Sequence, residues 1–405
     1  MIVNTGLILF LGLFVLFLWR QIFWWRICGT FLRRFNYIVL MLVLVCLIMV
    51  YDCYRFWLAF RSSSSGTWIE TPVWLKVTTY GSVILLWPIF CLSSYLIYQH
   101  IECIKGEAAV LWHDRALQIV ILPLVFAAMC MSCLTECYTF MIHDTSPEIN
   151  AKMEDMLASA ETCMWIADLY EAWALYQFGV LTIEILKQLW LKQGYSKDQA
   201  ARSSGLALLQ AHPAVERLAW MGILSFVLVS VADVAVALFF LTIGHRTPDF
   251  VGKFNSAEAD FDVAGFLASC TAIYNVYVLE HQFHHTLEEF CPFLKFLTVK
   301  ILVTFAYGQQ YFFEFLQVMN SLFPTWVQNI VAGIPVLSTL TDCSQALFYT
   351  FYAGLMIIEC FFIALAHIYA WPSAEAWYDE AMRPIEDESE PMLKGPVAVY
   401  GTTKV

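Results

Sequence analysis

Charged residues are scarce in this chain: only 14% of its 405 residues are Asp, Glu, Lys or Arg, whereas 60% are hydrophobic. A soluble domain carries about a quarter charged residues, so this composition excludes a water-soluble globular fold. Basic residues are fewer than acidic ones: the chain has 22 Lys and Arg against 34 Asp and Glu, which gives a net charge of −12. Because a nucleic-acid-binding face is basic, nucleic acid is not expected as a partner.

Several functional motifs are also missing. The sequence has no Gly-x-x-x-x-Gly-Lys-Ser/Thr loop, which is the loop that cradles nucleotide phosphates, so ATP is not expected to drive the protein. No persuasive catalytic constellation occurs, so neither an enzyme nor a cofactor is expected. Most of the 13 cysteines lie inside apolar runs, where cysteine acts as a small hydrophobe and not as part of a disulfide framework.

Long apolar runs are what the chain has in abundance. A bilayer core takes about 20 helical residues to cross, and in lipid a helix satisfies every backbone polar group within itself. The sequence therefore predicts an all-α, polytopic transmembrane bundle of nine spans. These spans are Ile2–Leu18, Tyr37–Phe60, Val73–Tyr98, Leu117–Met141, Thr162–Leu186, Val215–Ile243, Phe261–Leu279, Phe293–Val318 and Ala346–Tyr369.

The distribution of Lys and Arg predicts the orientation. Cytosolic loops carry an excess of basic residues, and here the odd-numbered loops and the tail hold most of them, with Lys295, at the start of the eighth span, counted with the seventh loop. This places the N-terminus outside and the C-terminus in the cytosol. The first apolar run is followed, and not preceded, by Arg20 and Arg26, so we interpret it as a reverse anchor; a cleaved signal peptide is the alternative.

Three segments carry a family resemblance. The first, "ADLYEAWALYQF", spans Ala167–Phe178, and the second, "LEEFCPFLKFLTVKILVTFAYGQ", spans Leu287–Gln309. The third, "IECFFIALAHIYAW", spans Ile358–Trp371 and has a Glu followed eight residues later by His. In order and spacing, these segments and "YLIYQHI" resemble the organic solute transporter alpha family, which includes the transmembrane protein 184 proteins.

The resemblance implies a seven-span core over residues 73–371. Residues 1–72 would then be an N-terminal extension with two extra spans, and residues 372–405 a flexible acidic cytosolic tail. Gly308 stands where the family commonly has Trp, which would open a gap beside Gln309. Members of the transporter branch work with a small single-span partner, so such a partner is implied by the resemblance.

Polar residues at membrane depth are the candidate solute-binding groups, because charges there are costly and usually face a bundle interior or a wet cavity. The alternative is that they only join helices, each contact being worth about 1 kcal/mol. For Lys300, snorkelling to the cytosolic rim is a further alternative. The candidates are Asp168, Glu171, Tyr176, Gln177, Lys300, Gln309, Glu359 and His367; Asp52 and Arg55 sit at i,i+3 in the second span.

Two other groups of residues have possible chemistry. His281, His284 and His285 have the helical spacing of metal ligands, but the sequence favours a solvated, polar cytosolic helix extension here and no metal is assigned. Cys28, Cys103 and Cys291 fall on the predicted cytosolic rim, where cysteine can be palmitoylated; a plain buried thiol is the alternative.

The sequence thus favours a multi-pass carrier or facilitator of amphipathic organic solutes, such as sterol- or lipid-like anions. Its expected partners are the bilayer and the solute, together with a single-span subunit or a larger membrane complex. The alternative function is a non-enzymatic, receptor-like or structural subunit of a membrane assembly. Either would reside in the plasma membrane or in an endosomal or vacuolar membrane.

Overall fold

A computed structural model describes residues 37–62, 68, 71–103, 107–143, 149–194, 221–222, 224–236 and 343–375, with separate positions between 261 and 339. These residues are helical apart from short turns, and no strand occurs among them. The all-helical prediction is confirmed over this part of the chain. The first predicted span, Ile2–Leu18, and the residues after 375 lie outside it.

Six helices organise the described residues. They are α1 (Tyr37–Arg61), α2 (Val73–Cys103), α3 (Glu107–Val120), α4 (Leu122–His143), α5 (Ile149–Gly194) and α6 (Gln345–Ala370). Ser344 caps α6, because its side chain accepts a hydrogen bond from the backbone N–H of Leu347. Such a cap satisfies one of the backbone donors that a helix start leaves free.

Four stretches are long and apolar enough to cross a membrane: Ile38–Arg61, Val73–Cys103, Trp112–Ile142 and Gln345–Ala370. They correspond to the predicted second, third, fourth and last spans. A shorter apolar helix, Leu224–Val236, lies within the predicted sixth span. The total of nine spans and the orientation remain predictions.

Two predicted boundaries differ from the structure. The fourth span was expected to run unbroken from Leu117, but a turn at Ile121 separates α3 from α4. Pro123 lies in the first turn of α4, where the missing N–H costs little, and not in a helix interior. The fifth span was expected to run from Thr162 to Leu186, but α5 extends beyond both ends and is 46 residues long. The polar residues on either side of the apolar run contain no proline, so the helix continues through them.

Helix α4 forms the centre of the bundle and packs against α1, α2, α5 and α6. Every residue from 116 to 131 is buried. Small side chains at Ala127, Ala128, Cys130 and Cys133, all with no exposed surface, let neighbouring backbones approach closely, as in other membrane bundles. In contrast, α1, α2 and α6 have outer faces of large exposed apolar side chains; examples are Leu47, Trp57, Val77, Ile84 and Phe362.

Candidate functional site

The centre of the candidate site is a side-chain contact between two distant segments. Gln309 Nε2 donates a hydrogen bond to Glu359 Oε1 on α6. The other two atoms of this pair, Gln309 Oε1 and Glu359 Oε2, are buried and have no hydrogen-bond partner among the described residues. The sequence prediction that Gln309 and Glu359 belong to one site is consistent with this contact.

Polar side chains follow one face of α6 on both sides of Glu359. Near the start of the helix, Tyr349 donates its hydroxyl to Glu161 Oε1 on α5 at 3.1 Å. One turn further, Tyr352 is buried and lies within electrostatic range of both Asp168 and Glu359. Near the end of the helix, His367 is buried, with Nε2 3.4 Å from the carbonyl oxygen of Thr298. The face therefore offers polar groups along most of the length of the span.

Helix α5 brings the acidic candidates towards this face. Asp168 lies within electrostatic range of Cys130 on α4 and of Tyr352 on α6, so it belongs to the middle of the bundle. Glu171, one turn further along α5, has no exposed surface. Both side chains interact within the bundle, which agrees with either solute binding or interhelical bonding.

Tyr176 and Gln177 lie nearer the other end of α5. The ring of Tyr176 stacks on Trp173 with centroids 5.4 Å apart. It also lies beside an ion pair in which Arg115 on α3 contacts Glu184 Oε1 at 2.8 Å. Gln177 is 3% exposed. Tyr176 is thus placed with the α3–α5 ion pair.

Aromatic side chains cover the site on the side of the α6 start. Phe313, one turn from Gln309, contacts Phe348 and Phe351 of α6 at centroid distances of 6.3 Å and 5.6 Å. Trp74 of α2 contacts Phe351 at 5.5 Å. These aromatic rings therefore lie about one to two helical turns from the amide–carboxyl pair, an arrangement that suits a molecule with one polar edge and an apolar body.

Lys300 lies outside the described residues, and the structure instead reveals a buried cation at Lys295. The sequence interpretation counted Lys295 with the basic residues of the cytosolic side, although it falls at the start of the predicted eighth span; in the structure it is helical and only 1% exposed. Its Nζ donates to the Phe290 carbonyl oxygen at 2.8 Å and to Glu375 Oε1 at 2.7 Å. It also lies 5.5 Å from the ring centre of Trp371. The aromatic residues beside it in sequence were the available signal for this burial.

Sequence reasoning also missed a pair of buried histidines. His100 at the end of α2 and His113 in α3 have their Nδ1 atoms 3.0 Å apart. His100 Nε2 lies 3.1 Å from the carbonyl oxygen of Trp371, which follows α6. Because a carbonyl only accepts, His100 carries its proton on Nε2 and accepts from His113 Nδ1. This pair joins three helices at the end of the bundle predicted to be cytosolic.

Gln118 of α3 is a further residue that sequence reasoning did not select. Its Oε1 accepts a hydrogen bond from Trp173 Nε1 at 2.9 Å, and its carbonyl oxygen accepts from the Tyr170 hydroxyl at 2.9 Å. Its amide Nε2 donates to Asp114 at 3.2 Å. Gln118 thus fixes α5 against α3, and a lone buried Gln is a signal that could have identified it.

The remaining candidates are only partly covered by the structure. The ring of His281 stacks on Tyr277 at 5.9 Å, while His284 and His285 lie outside the described residues; within the described part, no group of three metal-ligating side chains is found. Cys291 is exposed, and Cys103 is half-buried with its Sγ 3.4 Å from Ser373 Oγ. Cys28 is also outside the described part. Palmitoylation of these cysteines remains a prediction.

Apolar helices with lipid-facing outer surfaces, joined inside by polar contacts, define an integral multi-pass membrane protein. The chain matches the family model for the organic solute transporter Ostalpha over residues 77–376. It therefore belongs to the organic solute transporter alpha family, whose members are membrane transporters of solutes. Neither a curated protein nor a solved structure matches the chain.

Proposed function

We propose that this protein is a carrier or facilitator of amphipathic organic solutes, such as sterol- or lipid-like anions, and that ATP does not drive it. The observation that carries this proposal is the Gln309–Glu359 pair, in which Gln309 Oε1 and Glu359 Oε2 have no hydrogen-bond partner among the described residues. A hydroxyl or amine of a solute would donate to these atoms, while its ring system would pack on Phe313 and Phe351. Lys300 would meet the anionic end.

Membership of the family supports transport of a solute in general. The polar pair and the nearby aromatic rings support an amphipathic organic molecule as that solute. A buried acceptor without a hydrogen bond costs roughly 1–3 kcal/mol. A solute donor that satisfies Gln309 Oε1 or Glu359 Oε2 would recover this free energy. A solute without a donor at that position would leave the cost in place, so the site would discriminate between hydroxylated and non-hydroxylated forms.

Uptake into liposomes tests the proposal. Full-length protein would be reconstituted and uptake of a radiolabelled hydroxylated steroid sulfate measured for the unchanged chain and for Gln309→Leu with Glu359→Gln. We expect the double variant to lose at least tenfold in uptake while keeping its yield and thermal stability. Phe362→Leu is the matched control, because it changes an exposed side chain on the same helix. Equal uptake by a folded double variant would show that the pair only joins helices.

A further inference from the structure

A second polar cluster lies at the interface of α1 and α4, away from the Gln309–Glu359 pair. Arg55 of α1 forms a bidentate ion pair with Glu136 of α4: NH1 contacts Oε1, and NH2 lies 3.2 Å from Oε2. One turn back on α1, Asp52 is 4% exposed and its Oδ2 accepts a hydrogen bond from the hydroxyl of Ser132 on α4. The cluster therefore contains two carboxyl groups and one guanidinium.

The charges in this cluster balance only if one carboxyl group is neutral. The guanidinium of Arg55 uses two nitrogens on Glu136, which leaves Asp52 with a neutral hydroxyl as its hydrogen-bond partner. The other titratable or aromatic groups of described residues that interact with the cluster are Tyr51 and Cys53 on α1, Cys133 on α4 and Cys163 on α5. None of these adds a second positive charge, and an uncompensated carboxylate at membrane depth is costly.

We propose that Asp52, Arg55, Ser132 and Glu136 form a proton-binding site in which Asp52 holds the proton. The proton comes from water and binds a carboxylate oxygen of Asp52, which turns a cluster of net charge −1 into a neutral one. Arg55 lies six residues before the end of α1 at Arg61, about 9 Å along the helix, so the cluster is close to one membrane surface. From there water can exchange the proton.

This site combines the N-terminal extension with the family core. Asp52 and Arg55 precede the matched residues 77–376, whereas Ser132 and Glu136 lie within them. Loss of the proton would place an unpaired negative charge between α1 and α4 and weaken their packing. Because α4 also packs against α5 and α6, the protonation state of Asp52 would bias the helices that carry the candidate solute site.

The first test is infrared difference spectroscopy on the full chain in lipid nanodiscs, which does not depend on transport. Subtracting the spectrum of Asp52→Asn from that of the unchanged protein at mildly acidic pH should leave the carbonyl band of a protonated carboxylic acid. That band should disappear as the pH rises. Its absence from the difference spectrum at neutral and acidic pH would overturn the proposal, since Asp52 would then be ionised in the folded protein.

Two further variants separate this site from simple packing. In Glu136→Gln, Asp52 becomes the single carboxylate beside Arg55, so it should release its proton and the band should vanish although Asp52 is unchanged. Ser132→Ala removes only the hydroxyl, so the band should persist. Asp52→Asn should fold with a thermal midpoint that no longer falls as the pH rises. An unfolded Asp52→Asn, or a band that survives Glu136→Gln, would contradict the proposal.

Discussion

At the scale of single residues, buried polar side chains in this bundle are tied to particular partners across helices. Gln118 bonds two aromatic residues of α5 and one acidic residue of its own helix. Lys295 is enclosed by Glu375 and aromatic rings. Since hydrogen bonds between membrane helices are each worth about 1 kcal/mol, residues that make several of them fix which helices meet.

Gln118→Leu should lower stability by roughly 1–2 kcal/mol, because the buried indole N–H of Trp173 loses its acceptor. Thermal unfolding in detergent micelles would measure this effect. Tyr170→Phe is the matched control: it removes the hydroxyl that bonds the Gln118 backbone, whose carbonyl remains on the helix, and should cost less. If Gln118→Leu were as stable as the unchanged chain, the Gln118–Trp173 hydrogen bond would contribute nothing.

At the scale of elements, α2 and α6 pack closely at Gly354, where there is room for a small side chain only. A Cβ placed on Gly354 would lie 3.5 Å from Ser82 Oγ and 3.7 Å from Thr78 Cγ2. Those distances are ordinary van der Waals contacts, so a methyl side chain fits at position 354 but a larger side chain would overlap α2. At Gly81 on α2, a Cβ would meet no described heavy atom within 4 Å.

Gly354→Ala should therefore be tolerated, whereas Gly354→Leu should separate α2 from α6 and cost about 1–3 kcal/mol or more. Gly81→Leu is the matched control, since it adds the same side chain where there is room. Size-exclusion chromatography after heating would report the folded fraction of each variant. A Gly354→Leu protein as heat-resistant as Gly81→Leu would mean that α2 and α6 do not pack at this glycine.

At the scale of the whole molecule, α1 completes a face of the family core. Besides the ion pair, Phe56 of α1 stacks on Tyr138 of α4 with ring centroids 4.3 Å apart. Without α1, the carboxyl group of Glu136 would face lipid, where an unpaired charged side chain is costly. Helix α1 and the matched residues 77–376 are thus joined by polar and aromatic contacts.

A chain of residues 63–405 should for this reason yield little monodisperse protein. Adding Glu136→Leu to the truncated chain should raise the recovered fraction several-fold, because the exposed carboxyl group is gone. Glu102→Leu, at an exposed position beside Tyr98, is the control that should not help. Fluorescence-detected chromatography measures the recovery, and normal yield from the truncated chain alone would refute the role assigned to α1.

The sequence indicates much of this architecture and much less of the site. Apolar length alone predicts α1, α2 and α6 to within a few residues, because the bilayer sets the length of a span. The length of the apolar runs could not show that Arg55 contacts Glu136, 81 residues away, since hydropathy carries no information about which helices are neighbours. For the same reason the sequence did not show the His100–His113 pair or the burial of Lys295. The eight-residue spacing of Glu359 and His367 indicated one face of a helix, and both residues lie in α6.

Helix α5 is longer than any bilayer requires. Its 46 residues extend about 69 Å at 1.5 Å per residue, against a hydrocarbon core of about 30 Å. If α5 is the fifth span, as the sequence predicts, this one continuous helix reaches from one aqueous side to the other, with Glu161 bonded to Tyr349 and Asp168 near Tyr352 of α6. A tilt of about 10° around the middle of this helix would carry each tip about 6 Å sideways, so a small rearrangement at the candidate solute site would become a larger displacement at both ends of α5.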